Sequence, residues 1–371
     1  MKCCKYFFLE LLKNSLWNTS TDVSPKITEE WTQIKKIAFE QTVLPLIFES
    51  INRLPKEMMP PKATLLKIYG TVVKVEQNNK LLYQKQSYFL SQLYVQGLHP
   101  VLLKGLGLAQ LYPNPLCRQS GDIDIFLCHD EYEKALKIAL LQGEINDKDI
   151  GNEHTNIKYK DWILELHCSV VGRSLLPSVR RKRKWLDDNI VKNVKSVDGI
   201  PVPNDVVNLI FVFNHLYRHF MTSGVGLRQL CDWMLLLHSC AGNIRDYTGE
   251  LMNLLKSFKL LDAWQKFGYI LVRNLGLPRE EMPCYNDVDD KIADLILDRI
   301  FIEGNFGHSN LSPYLGKNYI LRKWYSLSYL MKRNLYLLNI FPRKVLLNVK
   351  SPLDSVEQII GDIKKMFNKY D

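Results

Sequence analysis

Asp122 and Asp124 stand two residues apart in the segment Arg118-Gln119-Ser120-Gly121-Asp122-Ile123-Asp124-Ile125. In an extended strand, residues i and i+2 leave the same face. The two carboxylates therefore converge, while Ile123 and Ile125 point into the sheet and anchor it. Converging carboxylates repel each other unless a cation joins them. Mg²⁺, or Mn²⁺ in its place, takes such hard oxygen ligands and keeps positions open for triphosphate oxygens. A second alternating run, Ile163-Leu164-Glu165-Leu166-His167, sets Glu165 on the face opposite its two leucines and offers a third carboxylate. His167 shares that face and can contact phosphate or orient a carboxylate. Three carboxylates around two metal ions are the equipment of in-line phosphoryl or nucleotidyl transfer. Each part alone has a plainer reading: an isolated Asp-x-Asp is common, and a lone Glu165 reads as a solvated strand residue. The combination points to chemistry.

Such ligands need a sheet beneath them and a turn that delivers them. From His99 the pattern changes from helical spacing to alternation. Pro100 to Leu103 is a short apolar run, and Lys104-Gly105-Leu106-Gly107 reads as a turn into a helix ending near Tyr112. Asn114-Pro115 makes a loop, and Gly121 lets the backbone turn sharply before a strand over 122–127. A helix follows from Asp130 to Gln142 with Gly143 as its stop. Thr155 to Lys160 and Trp162 to Val170 flank Asp161 as a hairpin. This order predicts an α+β fold, with a small mixed sheet and helices on one side. The sheet core is expected over residues 99–200, between a helical N-terminal region (1–98) and a helical C-terminal region (201–371).

The flanks carry helical spacing. Met1 to Trp17 reads as an amphipathic helix, because Glu10 and Lys13 break its apolar run and no small-residue cleavage site follows. Trp31, Ile34, Ala38, Val43, Leu46 and Ile47 form a second apolar series, and Pro55, Pro60 and Pro61 punctuate the chain. A long helix is expected from Pro61 to Leu98, with Gln77, Asn78 and Asn79 on its outer face. Gly199 to Pro203 closes the sheet region, and Asn204 or Asp205 caps the next helix. His215 and His219, spaced i, i+4, share one helical face, which leaves a metal, contact with the active site or acceptor, and structural hydrogen bonding all open. Arg228 and Asp232 have the same spacing and read as an intrahelical ion pair. Arg180 to Lys184 reads as a solvated basic face, and Tyr319 to Phe341 as core-packed helix. Loops are expected around 278–286 and 304–316.

Hydrophobic residues make up 46% of the 371 and charged residues 24%, values that exclude a disordered chain. The formal net charge of +10 favours anionic partners. None of the eight cysteines shows C-x-x-C spacing, so reduced, mostly buried thiols are expected, with neither zinc site nor disulfide framework. No run reaches about 18 uninterrupted apolar residues, so no transmembrane segment is expected and the chain reads as cytoplasmic.

The stretch Gly105 to Leu127 resembles the signature of the polymerase-beta-type nucleotidyltransferase superfamily: a glycine turn, a short helix, then a strand with Asp-x-Asp. The wider layout is similar to one bacterial branch, the uncharacterised nucleotidyltransferases. That likeness rests on Leu103-Lys104-Gly105, Leu111-Tyr112-Pro113, Arg118, Gly121-Asp122-Ile123-Asp124-Ile125 and Leu164-Glu165-Leu166-His167. His215-Leu-Tyr-Arg-His219 and Leu227-Arg228-Gln-Leu-Cys-Asp232 extend it downstream, and Trp31, Ala38 and Val43 to Ile47 upstream, so it covers about residues 5 to 240. The resemblance implies an NTP substrate, Mg²⁺ held by Asp122, Asp124 and Glu165, and a triphosphate near Lys104, Gly105 and Arg118. Lys104 would act as a point charge and Arg118 as a planar fork. The acceptor, whether protein, sugar, small molecule or RNA, is not indicated. One departure is Leu106, where many superfamily members carry a Ser whose hydroxyl meets phosphate; Lys104, or backbone N–H groups at the start of the following helix, would substitute. Two alternatives stand beside this reading. One is a non-catalytic binding protein that keeps the fold. The other is a metal-dependent glycosyltransferase using Asp-x-Asp, which needs a larger α/β half before the motif than these helices provide.

Overall fold

The computed structural model describes residues 2–20, 28–145, 154–174, 176–305, 328, 331–342 and 345. Three helices open the chain: α1 (Lys2–Trp17), α2 (Thr28–Glu40) and α3 (Leu44–Ile51). After Pro60-Pro61 comes α4 (Lys62–Val95), which ends at Gly97 with φ +70, the left-handed conformation that suits a helix stop. The buried stripe of α4 recurs at steps of three, four or seven residues through Ile68, Val72, Asn79, Leu82, Gln86, Phe89 and Leu93. Asn79 therefore faces inward, not outward as its polarity suggested.

The sheet follows. Its strands are β1 (Val101–Leu103), β2 (Ile123–Phe126), β3 (Glu144–Ile145), β4 (His154–Lys158) and β5 (Ile163–His167), in spatial order β1-β2-β5-β4-β3. Only β2 and β5 are parallel; the remaining pairs are antiparallel. The short helix α5 (Gly105–Ala109) follows β1, and α6 (His129–Ala139) follows β2. Gly143 is required by close approach, since an added Cβ would lie 2.5 Å from Ile157 Cγ2. The β4–β5 hairpin turns at Lys160-Asp161 as anticipated, with Tyr159 N–H donating to the Trp162 carbonyl.

One face of the sheet buries Leu102, Ile123, Ile125, Ile157, Leu164 and Leu166 against α4 and α6. On the other face, Val101, Leu103 and Phe126 join a larger apolar cluster. That cluster is built from α1–α3 together with α8 (Asp205–Met221), α9 (Leu227–Ile244), α10 (Thr248–Ser257), α11 (Leu261–Ile270) and α12 (Asp290–Glu303). Helices thus pack on both sides of the sheet and not on one, because Val101, Leu103 and Phe126, at the alternate positions of β1 and β2, are also apolar.

Between sheet and α8 lie α7 (Pro177–Ile190) and a small hairpin, β6 (Lys195–Val197) with β7 (Ile200–Val202). The basic run 180–184 is part of α7, whose buried edge is the i, i+4 ladder Ser178, Lys182, Leu186 and Ile190. Asn204 caps α8 as expected, its side chain accepting from Val207 N–H. Cys117, Cys128, Cys231, Cys240 and Cys284 form no disulfide among the described residues. Among the described residues no helix is long and apolar enough to cross a membrane. Most of the 304–316 loop and much of the 319–341 segment lie outside the described residues.

Candidate active site

Asp124 on β2 lies opposite Glu165 on β5 in the parallel register. Strand alternation sends Ile123, Ile125, Leu164 and Leu166 into the core and leaves Asp124, Glu165 and His167 on the reverse face. The ligand atoms of these three residues lie within 4.8 Å of one another, and they form the one such potential metal-binding group among the described residues. His167 Nε2 is 3.0 Å from Asp124 Oδ1 and 3.4 Å from Glu165 Oε2. Lys104 Nζ is 2.9 Å from the same Asp124 oxygen.

This ammonium arrives from an unusual backbone. Lys104 has φ +39 and ψ −144, rare for a residue with a side chain. Gly105 follows with φ +41, where an added Cβ would lie 3.8 Å from Asp124 Oδ2. The turn therefore runs directly over the carboxylates, and a strained conformation at such a place is characteristic of functional sites.

Burial alone would raise the Glu165 carboxyl, but the hydrogen bond from His167 and the Lys104 ammonium outweigh it and hold it down at about 2. Burial opposes charge on His167 and Lys104, yet the neighbouring carboxylates win and raise both. Asp122 behaves differently. Burial and the Asp124 charge raise it, against the pull of Lys104, Arg228 and Arg118. Its carboxylate lines the same cavity but does not join the cluster. Asp122 also precedes β2, which begins at Ile123, so strand alternation does not govern its direction.

The cluster forms part of the wall of a cavity of about 360 Å³. A second wall is the loop Arg118-Gln119-Ser120-Gly121, and a third is α8 with the start of α9, carrying His215, His219 and Arg228. Asn79 holds the loop from beneath. Its side chain donates to the carbonyls of Leu116 (2.7 Å) and Arg118 (2.8 Å) and accepts from Ser120 N–H. Gly121 has no positive φ, and an added Cβ would meet nothing within 4 Å. It thus keeps the wall open rather than permitting a turn.

Arg118 does not extend its fork into the cavity. Its Nε and Nη2 each donate to Asp232 at 2.8 Å, and Nη1 donates to Ser120 Oγ. Asp232 also accepts from Tyr112 Oη at 2.7 Å. The expected Arg228–Asp232 pair is absent, because the bidentate Arg118 and Tyr112 take the carboxylate. Arg228 instead donates to the Gln119 carbonyl. His215 and His219 line the cavity without joining a metal-binding group among the described residues. Burial, with the nearby positive charges, keeps both neutral: His215 lies well below the ordinary histidine value and His219 is pushed down to about 3. Leu106 is buried in the sheet core and does not line the cavity.

Two carboxylates with an imidazole, and Asp122 at the same cavity, suit a divalent cation. Oxygen donors are what Mg²⁺ prefers, and the imidazole also suits Mn²⁺. Asn79 and Arg228 are the residues that sequence reasoning missed. Asn79 had a signal, since it falls in register with the apolar stripe of α4.

No curated protein and no solved structure matches the chain. A family model described as uncharacterised nucleotidyltransferase matches residues 28–271, from the start of α2 to just past α11. That span carries the whole sheet, the carboxylate cluster and every cavity-lining residue except Asn305, and the chain belongs to the uncharacterised nucleotidyltransferase family.

Proposed function

We propose that this protein transfers a nucleoside monophosphate from an NTP to an acceptor with a polymerase-beta-type site, and that Asp122, Asp124 and Glu165 hold two Mg²⁺ or Mn²⁺ ions. The observation that carries the reading is the in-register Asp124–Glu165 pair, joined by His167 within 4.8 Å on a cavity wall. Such ions, when bound, activate the attacking oxygen and neutralise the leaving pyrophosphate. His167 donates from Nε2 to Asp124 and fixes the direction of that carboxylate. Lys104 keeps the carboxylates together through its contact with Asp124 and brings a positive charge to the phosphate side. His215, held neutral on α8, accepts a hydrogen bond from the acceptor hydroxyl.

The test is to incubate the full chain with each labelled NTP and Mg²⁺ or Mn²⁺, with and without cell extract. Labelled product is expected with wild type and not with Asp124→Asn. Calorimetric Mn²⁺ titration should show Asp124→Asn and Glu165→Gln weakened by roughly tenfold or more. Equal labelling by wild type and Asp124→Asn, or equal Mn²⁺ affinity in all three proteins, would refute the assignment.

A further inference from the structure

Four cationic side chains line this cavity, Lys104, Arg118, Arg218 and Arg228, and the first two are matched to carboxylates. Lys104 rests on Asp124 at 2.9 Å, and Arg118 offers its Nε–Nη2 edge to both oxygens of Asp232 at 2.8 Å. Arg228 is not matched. Its Nη1 donates to the Gln119 carbonyl, its buried Nε has no partner, and it makes no ion pair among the described residues. The same Nε–Nη2 edge that Arg118 places on a carboxylate is thus unused on Arg228, which lines the cavity. Burial and the Arg118 charge disfavour its charged form, and Asp232 and Asp122 attract it without coming within ion-pair distance. Burying a guanidinium beside a second guanidinium, with carboxylates nearby but none in direct contact, is costly. An arginine so held is stabilised by an anion that enters the cavity, and the planar edge matches two oxygens of one phosphate.

We infer that Arg228 forms the triphosphate-binding subsite of this cavity, gripping phosphate oxygens side-on through Nε and Nη2; as a triphosphate site, this rests on the nucleotidyl-transfer reading above. The subsite gives Arg228 the role that the family resemblance implies for Arg118. It also accounts for the loop geometry, since the Gln119 carbonyl and the Asn79 clamp hold Arg228 and the loop 118–121 at a fixed distance from the carboxylates. A phosphate there faces Arg228 on one side and the metal-binding carboxylates on the other.

The experiment is calorimetric titration of ATP with Mg²⁺, and separately of metal-free inorganic tripolyphosphate, into wild type, Arg228→Gln and Arg228→Lys. Thermal melts confirm the fold. Arg228→Gln should weaken both ligands by about 10- to 100-fold. Arg228→Lys keeps the charge without the fork and should fall between the two; it also serves if the Gln variant does not fold. If wild type binds both ligands and the variants match it, the subsite is wrong while the nucleotidyltransferase reading stands. If wild type binds tripolyphosphate but not ATP, and Arg228→Gln loses that binding, the anion subsite stands and the nucleotide reading falls. If wild type binds neither, both fall.

Discussion

The Arg118–Asp232 pair is almost fully buried and closes with Tyr112 into a three-residue network. Removing one member leaves the other charge in a low-dielectric interior without compensation, which typically costs about 3–5 kcal/mol. Arg118→Ala and Asp232→Asn should each lower the denaturation midpoint accordingly, whereas the joint Arg118→Met, Asp232→Leu change should cost markedly less, because it removes both charges. A single-variant cost below about 1 kcal/mol would mean that the pair is solvated. Arg118 is here a positioning residue: it ties the loop before Asp122 to α9. Helical spacing made the Arg228–Asp232 pair legible from sequence, yet the partner actually chosen is 114 residues away. An i, i+4 rule reports proximity on one face and nothing about a competitor arriving from another element.

At the level of elements, α5 decides what the glycine turn presents to the cavity. All five of its residues are buried, and Leu106 packs with Leu102, Ile123 and Ile125. The position after the turn glycine therefore points into the sheet core, and a Ser there would gain no phosphate contact. Leu106→Ser should destabilise by about 2–5 kcal/mol, from lost burial and the cavity it leaves, and should leave tripolyphosphate affinity unchanged. A gain in affinity would restore the hydroxyl-based reading of the turn. The strands β2 and β5 were legible because alternating Ile and Leu report one buried face. The hairpin β6–β7 was not, because its three-residue strands are too short for a period and Gly199 and Pro201 read as breakers. The helix α7 reads in the sequence only as a basic face, because its buried ladder includes Ser178 and Lys182 and so lacks an apolar stripe.

Over the whole molecule, helices from both ends of the sequence share one apolar cluster, and a single amide joins them beside the cavity. Gln41, in the turn between α2 and α3, is fully buried. Its Oε1 accepts from Leu227 N–H at the start of α9 (2.9 Å), and its Nε2 donates to the Ile300 carbonyl of α12 (3.0 Å). Its own carbonyl lies 3.2 Å from where a Cβ on Gly226 would stand, so the turn and the start of α9 are in close contact. Further ties run the same way: Trp17 Nε1 donates to the Leu275 carbonyl, and Lys5 pairs with Asp298. In Gln41→Leu, the Ile300 carbonyl keeps its helical partner Gly304 N–H, but the Leu227 N–H loses its acceptor. The expected cost is about 1–3 kcal/mol, the penalty for one orphaned buried donor. Because the cluster is continuous, that loss should shift one cooperative transition and not detach the first helices. Tryptophan fluorescence draws on seven tryptophans, among them Trp17 and Trp31 in the first helices and Trp233 and Trp264 in α9 and α11, and it should coincide with far-UV circular dichroism across a urea titration. Arg228 follows Leu227 directly, so the variant should also bind tripolyphosphate more weakly, although Gln41 does not line the cavity. Separate transitions for the two signals would show that the N-terminal helices fold independently, and unchanged tripolyphosphate binding would show that the start of α9 is held without them.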